Sequence, residues 1–134
     1  MNRKLPGFDT LQLLFAGLAS LILIGAALIY VPSLLNTAKE ERVLSETATL
    51  GGLVSQYKME IGEYPDKLSD LTETKNQYGP WITEVPTDKM NDGKAYQYSH
   101  NDTQFVIFGV GENGQAESSL TKGISGDDVG FAGR

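Results

Sequence analysis

Leu11 to Val31 is a run of 21 residues without a single charge, its polar members being Gln12, Ser20 and Tyr30. As a helix it would extend roughly 31 Å, close to the hydrocarbon thickness of a bilayer, about 30 Å. A soluble domain built from the rest of a 134-residue chain has too little material to cover such a helix on every side. The run therefore predicts a single membrane-spanning helix. A cleaved secretory signal is the rival, with Ala26-Ala27 as its cleavage site, but its apolar stretch would be about 7–15 residues, shorter than this one. Arg3 and Lys4 precede the run, and nine basic against sixteen acidic residues follow it. Basic flanks stay in the cytoplasm, so the head is expected outside it, in the periplasm where a second membrane exists.

Helical periodicity does not end at Pro32. Leu34, Leu35, Ala38, Leu44, Ala48, Val54, Tyr57 and Ile61 recur at spacings near three and four, with charged residues largely on the other faces. Pro32 is expected to kink the helix, because the pattern resumes at once. Gly51-Gly52 weakens it by about 1 kcal/mol per glycine, which points to close packing against the head. Gly62 and Pro65 mark its stop. The expected divisions are 1–7 as a cytoplasmic leader, 8–62 as one long helix that spans the membrane to about residue 31, and 63–134 as the head.

In the head, Leu68 and Leu71 suit a short helical turn, and 78–86 reads as an irregular apolar loop. Residues 95–99 and 104–110 read as an antiparallel pair of strands, with Tyr96 and Tyr98 on one face and Val106 and Phe108 sharing a face of the partner. From Gly111 onward the composition of Gly, Ser and Asp reads as loop. The expected class is α+β: a long N-terminal helix, half transmembrane and half amphipathic, packed on a small antiparallel sheet with a long C-terminal loop.

The composition removes several functions. There is no cysteine and one histidine, His100, which excludes a disulfide scaffold, a Cys/His zinc site and a thiol nucleophile. A net charge of −6 disfavours nucleic acid as a partner and is compatible with a divalent cation. His100 falls in a hairpin turn. Asp127-Asp128 and Glu40-Glu41 are carboxylate pairs with nothing to separate their pKa values. The aromatic residues Tyr64, Tyr78, Trp81, Tyr96, Tyr98, Phe105 and Phe108 are expected to form core. No enzyme is expected.

Two sets of motifs carry a resemblance. A short basic leader, Gly7 then Phe8, and a transmembrane helix continuing into an amphipathic spine are similar to type IV pilin-like proteins. Gly62-Glu63-Tyr64-Pro65, Leu68 and Leu71, Gly79-Pro80-Trp81-Ile82, Val85-Pro86-Thr87-Asp88 and Tyr96-Gln97-Tyr98 resemble, in order, the head of the major pseudopilin family of type II secretion. Phe108-Gly109-Val110-Gly111-Glu112-Asn113-Gly114-Gln115 and Asp127-Asp128-Val129-Gly130 continue the likeness through the tail. The chain departs from the family at Gln12, where a glutamate is usual. It departs again at the turn from Asp88 to Gly93, where Asp-Pro-Trp-Gly is usual, and in a longer loop between the two tail motifs.

The resemblance implies a structural role: copies packing through their N-terminal helices into a filament that helps export folded proteins. It implies cleavage by a prepilin peptidase between Gly7 and Phe8, methylation of the new amine, and partnership with minor pseudopilins and an inner-membrane assembly platform. Asp9, one helical turn before Gln12, is expected to supply the carboxylate that Gln12 lacks, with Gln12 adding a hydrogen bond; the alternative is that Asp9 only caps the helix. Calcium is expected in the tail loop, where Glu112, Asn113, Glu117, Ser125, Asp127 and Asp128 supply oxygens; the resemblance puts it on Asn113, Asp128 and the Val110 carbonyl, with Glu112 or Asp127 compensating for the charge that Asn113 lacks. Two other readings stay open: a pilin or minor pilin of an adhesive, motile or DNA-uptake pilus, and a membrane-anchored calcium-binding head that does not polymerise.

Overall fold

The computed structural model describes the backbone of residues 10–134 and the side chains from residue 34 onward. The chain forms two compact units, Met1–Thr37 and Ala38–Arg134. One helix, α1, covers Thr10–Ile61 and continues through Pro32. Among the described residues no helix is long and apolar enough to cross a membrane. The membrane expectation falls on Leu11–Val31, whose side chains lie outside the described residues, as do Gly7, Phe8, Asp9 and the side chain of Gln12.

In the second unit, α1 buries Val43, Thr47, Leu50, Val54 and Tyr57. These positions recur every three or four residues and so share a stripe. The stripe is rotated from the expected one: Leu44 is 51 % exposed, while its neighbour Val43 is fully buried. Thr47 is accommodated in the apolar stripe because its hydroxyl donates to the Val43 carbonyl at 2.8 Å. The helix ends where Gly62 takes φ +101° and its amide returns to the Lys58 carbonyl at 2.8 Å.

A short 3-10 helix at Leu68–Thr72 buries Leu68 and Leu71, as the spaced leucines predict. The Leu71 carbonyl accepts from the amides of Trp81 and Ile82 at 2.9 and 3.2 Å, and Trp81 Nε1 donates to Glu60 Oε2 at 2.8 Å. The irregular apolar loop is thereby pinned to α1.

Two small antiparallel sheets follow. β1 (Thr87–Asp88) pairs with β2 (Lys94–Ala95), and β3 (Gln97–His100), β4 (Phe105–Gly109) and β5 (Val129–Gly133) form a sheet in that order. The β3–β4 hairpin matches the expected strand pair in position, with Tyr98 opposite Ile107, but β3 begins at Gln97 and includes His100, which pairs with Phe105 instead of lying in the turn. β5 was not expected; the segment after Gly111 is not loop throughout. β4 is buried along its whole length. Phe105 and Ile107 pack with Val43, Leu50 and Val54 of α1, whereas Val106, Phe108 and Val110 are covered by Leu120 and Ile124 from the tail. Tyr96 adds a polar tie, donating to Glu46 Oε2 at 2.5 Å, while Arg42 holds the other oxygen of that carboxylate at 3.0 Å.

The two glycines of α1 are not equivalent. A Cβ on Gly51 would overlap the Phe131 ring of β5, but one on Gly52 would meet nothing within 4 Å. Gly52→Ala is therefore expected to stabilise the head by about 1 kcal/mol, through helix propensity alone. Gly51→Ala is expected to lower stability, because the ring has to give way. Urea unfolding of the two variants measures both; equal shifts of the same sign would contradict this packing.

Candidate functional site

The 110–128 segment leaves β4, makes three turns and returns at β5. Its order is organised around Asp128, which is 6 % exposed. Oδ1 accepts the Gly111 amide at 3.2 Å. Oδ2 accepts the amides of Glu117 and Ser118 at 2.7 and 2.8 Å and the Ser118 hydroxyl at 2.9 Å. The same hydroxyl oxygen accepts the Ser125 amide at 3.0 Å, closing the second turn. Burial pushes the Asp128 carboxyl up, but the donors from Glu117, Ser118 and Gly111 outweigh it and hold the acid below its ordinary value.

Two more carboxylates converge on it. Oxygens of Glu117, Asp127 and Asp128 all lie within 4.8 Å of one another. Asp127 Oδ2 accepts the Asn113 amide at 3.0 Å, and Glu117 Oε2 accepts the Asp127 amide at 3.2 Å. The approach is close enough to require glycine at two points. A Cβ on Gly111 would overlap the carboxyl and carbonyl of Asp127, and one on Gly126, where φ is +64°, would overlap the Glu117 carboxylate.

This donor set suits a hard divalent cation such as calcium, which takes oxygen ligands, carboxylates above all. Among the described hydrogen bonds, Asp127 and Glu117 each use one carboxylate oxygen, so the other oxygen of each is available. Three carboxylates gathered this closely repel one another without a cation. Of the sequence-predicted ligands, the fold brings together Asp127 and Asp128. Asn113 touches the group through its backbone amide, while its side-chain oxygen accepts the Gln115 amide at 2.8 Å. Glu112 is exposed and lies outside the three-carboxylate group. The Val110 amide is held by Asp88 Oδ2 at 2.9 Å. Glu117 was among the oxygen donors the sequence offered in this segment but not among the ligands singled out, and the fold brings it to Asp127 and Asp128. The signal for its place in the group is Gly126 followed by Asp127, a left-handed glycine placing an amide against an acid ten residues earlier.

His100 is a packing residue. Its ring stacks on Tyr98 with centroids 5.5 Å apart and meets the edge of Tyr64, and its Nε2 lies 3.9 Å from Asp66.

Comparison with known proteins adds one result. The family model described as type II secretion system (T2SS), protein G matches residues 31–125. Neither curated proteins nor solved structures gave a significant match. The matched region takes in the amphipathic part of α1, the 3-10 helix, β1 to β4 and most of the acidic loop, including Glu117; it stops before Asp127, Asp128 and β5. More than half of the chain is covered, by a family of structural secretion-system subunits associated with the cell envelope. The chain belongs to the type II secretion system protein G family, the major pseudopilins.

Proposed function

We propose that the chain is the structural subunit of a type II secretion pseudopilus, polymerising through its N-terminal helix to help export folded proteins. The family match over residues 31–125 is the observation that carries this reading. The surface of α1 supports it: Leu34 and Leu35 are 65 % and 57 % exposed, directly after the uncharged run. Leucines left open to water on a helix suit burial against a second copy of the same helix.

In this reading a prepilin peptidase cuts after Gly7 and Phe8 becomes the methylated N-terminus. The anchor lies in the inner membrane and the head in the periplasm, where minor pseudopilins and the assembly platform engage it. An amine buried among apolar helices is costly by several kcal/mol unless a carboxylate faces it, the role assigned to Asp9 with Gln12 in support. Calcium sits in the tail loop, held by Glu117, Asp127 and Asp128. It supplies positive charge among three carboxylates and offsets the conformational entropy of a glycine-rich loop.

Imaging tests the assembly. The full chain, overexpressed together with the prepilin peptidase and the assembly platform, is expected to form filaments whose subunits begin at Phe8 by intact mass. Gly7→Trp, which blocks cutting, is expected to form none. A correctly cut chain that stays monomeric at high expression would overturn polymerisation and leave the membrane-anchored calcium-binding head.

A further inference from the structure

The residues joining β4 to the acidic loop are Gly109, Val110 and Gly111, and two consecutive amides there are held by two different buried carboxylates. The Val110 amide donates to Asp88 Oδ2 at 2.9 Å, and the Gly111 amide donates to Asp128 Oδ1 at 3.2 Å. Asp88 is 1 % exposed. Its Oδ1 accepts the Met90 amide at 2.9 Å, and its own carbonyl accepts the amides of Asn91 and Gly93 at 3.2 and 2.8 Å. It is thus the hub of the β1–β2 turn as well as an anchor for the start of the loop. Glycines flank Val110 because the acids press on the backbone. A Cβ on Gly109 would lie 2.9 Å from both Asp88 Oδ1 and Val43 Cγ1, and one on Gly111 would overlap Asp127.

Among the described residues Asp88 makes no ion pair. A buried carboxylate without a cation is expensive, and the turn alone would be served as well by the uncharged Asn. Asn has one side-chain acceptor oxygen, whereas a carboxylate has two. Here the two oxygens point to different parts of the fold, one to the turn and one to the tail loop. That division of labour is what the acid provides and the amide does not.

We propose that Asp88 is a positioning residue for the acidic loop: by holding the Val110 amide, it makes the 88–93 turn and the 110–128 loop open and close as one unit. The cation-binding role of the loop rests on the function proposed above; the coupling does not. The turn from Asp88 to Gly93 then reports the state of the loop to the surface beside β1 and β2, and an ion that orders the loop also orders the turn.

Residue-resolved hydrogen exchange of the full chain in detergent, across a series of sub-denaturing urea concentrations, tests this. The amides of Met90, Gly93, Val110 and Gly111 are expected to exchange through one common opening with the same urea dependence. Asp88→Asn keeps the volume and one acceptor oxygen. It is expected to speed exchange at Val110 and Gly111 by about tenfold or more, with β3 and β4 unchanged. Calcium affinity of that variant is expected to fall by about 10–100-fold, as when a group that orients a metal ligand is lost. Independent openings of turn and loop in the unmodified chain would overturn the proposal, and so would undisturbed protection in Asp88→Asn. If that variant does not fold, the urea series on the unmodified chain decides alone. A common opening in a chain that binds no calcium would leave the coupling standing and remove the cation.

Discussion

Asp128→Ala is expected to release the tail loop from the sheet and to lower the stability of the head by about 3 kcal/mol. Four donors converge on that carboxylate: the amides of Gly111, Glu117 and Ser118 and the Ser118 hydroxyl. Alanine leaves them without an acceptor, and each buried donor left unpaired costs about 1–3 kcal/mol, although the loop will swing some of them into water. For a head of this size the loss corresponds to a fall in Tm on the order of 10 °C. Limited proteolysis should show new cuts between Gly111 and Asp127, and the stabilisation produced by millimolar calcium over a chelator should vanish. Asp128→Asn keeps one acceptor oxygen and should fall between the two. An unchanged melting curve and protease pattern would show that the loop is ordered by Leu120 and Ile124 alone.

The same group makes the loop sensitive to acid. The Asp128 carboxyl titrates lower in the folded chain than in the unfolded one, so its contribution is complete above the ordinary carboxylate value of about 4 and is lost as pH falls below that. Asp88 has the opposite sign. Burial raises its carboxyl above the ordinary value despite the amides of Met90 and Val110, so its charge costs stability at neutral pH and protonation relieves the cost. Overall stability of an Asp88 variant thus mixes a relieved charge with a lost acceptor. Local exchange separates the two effects and Tm does not.

The helix and the hairpin were legible because each carries a strong period. Which face of the helix is buried was not legible, since Val43-Leu44 and Leu53-Val54 put apolar residues side by side and spacing alone does not choose between neighbours. Thr47 made the true stripe harder to see, because a threonine that satisfies its hydroxyl on its own helix behaves as an apolar residue. The acidic loop was partly legible. Asp127 and Asp128 stand together in the chain, but Glu117 reaches them only after the turn closed by the reciprocal Ser119–Gly123 backbone bonds. Asp88 carries no sequence signal for its second role: its partner is a backbone amide 22 residues away, and amides are the same at every position.

β5 was the least legible element, and its sequence, Val-Gly-Phe-Ala-Gly, explains both the omission and the sharpest prediction for the fold. Glycine disfavours strands because it costs entropy and packs nothing, so such a segment reads as loop. Here the glycines permit contact. Gly130 pairs with Phe108, and a Cβ on it would overlap the Ile107 carbonyl oxygen and lie 2.6 Å from the Phe108 Cα. Those are backbone atoms of β4, the central strand, which is buried on both faces and has no room to retreat. Gly130→Ala is therefore expected to push β5 off the sheet, at a cost of about 3 kcal/mol or more. The damage would spread through two residues close in sequence: Phe131 would leave Gly51, and Asp128 would be drawn away from its amides. Gly114→Ala is the comparison, since Gly114 has φ +72° and a Cβ there would meet nothing within 4 Å, leaving only left-handed strain of about 1–2 kcal/mol. Urea unfolding of the two variants, with hydrogen exchange at β4 as a second readout, separates steric exclusion from backbone strain. A Gly130→Ala chain as stable as Gly114→Ala, with β4 amides still protected, would mean that β5 does not lie against β4 in this register.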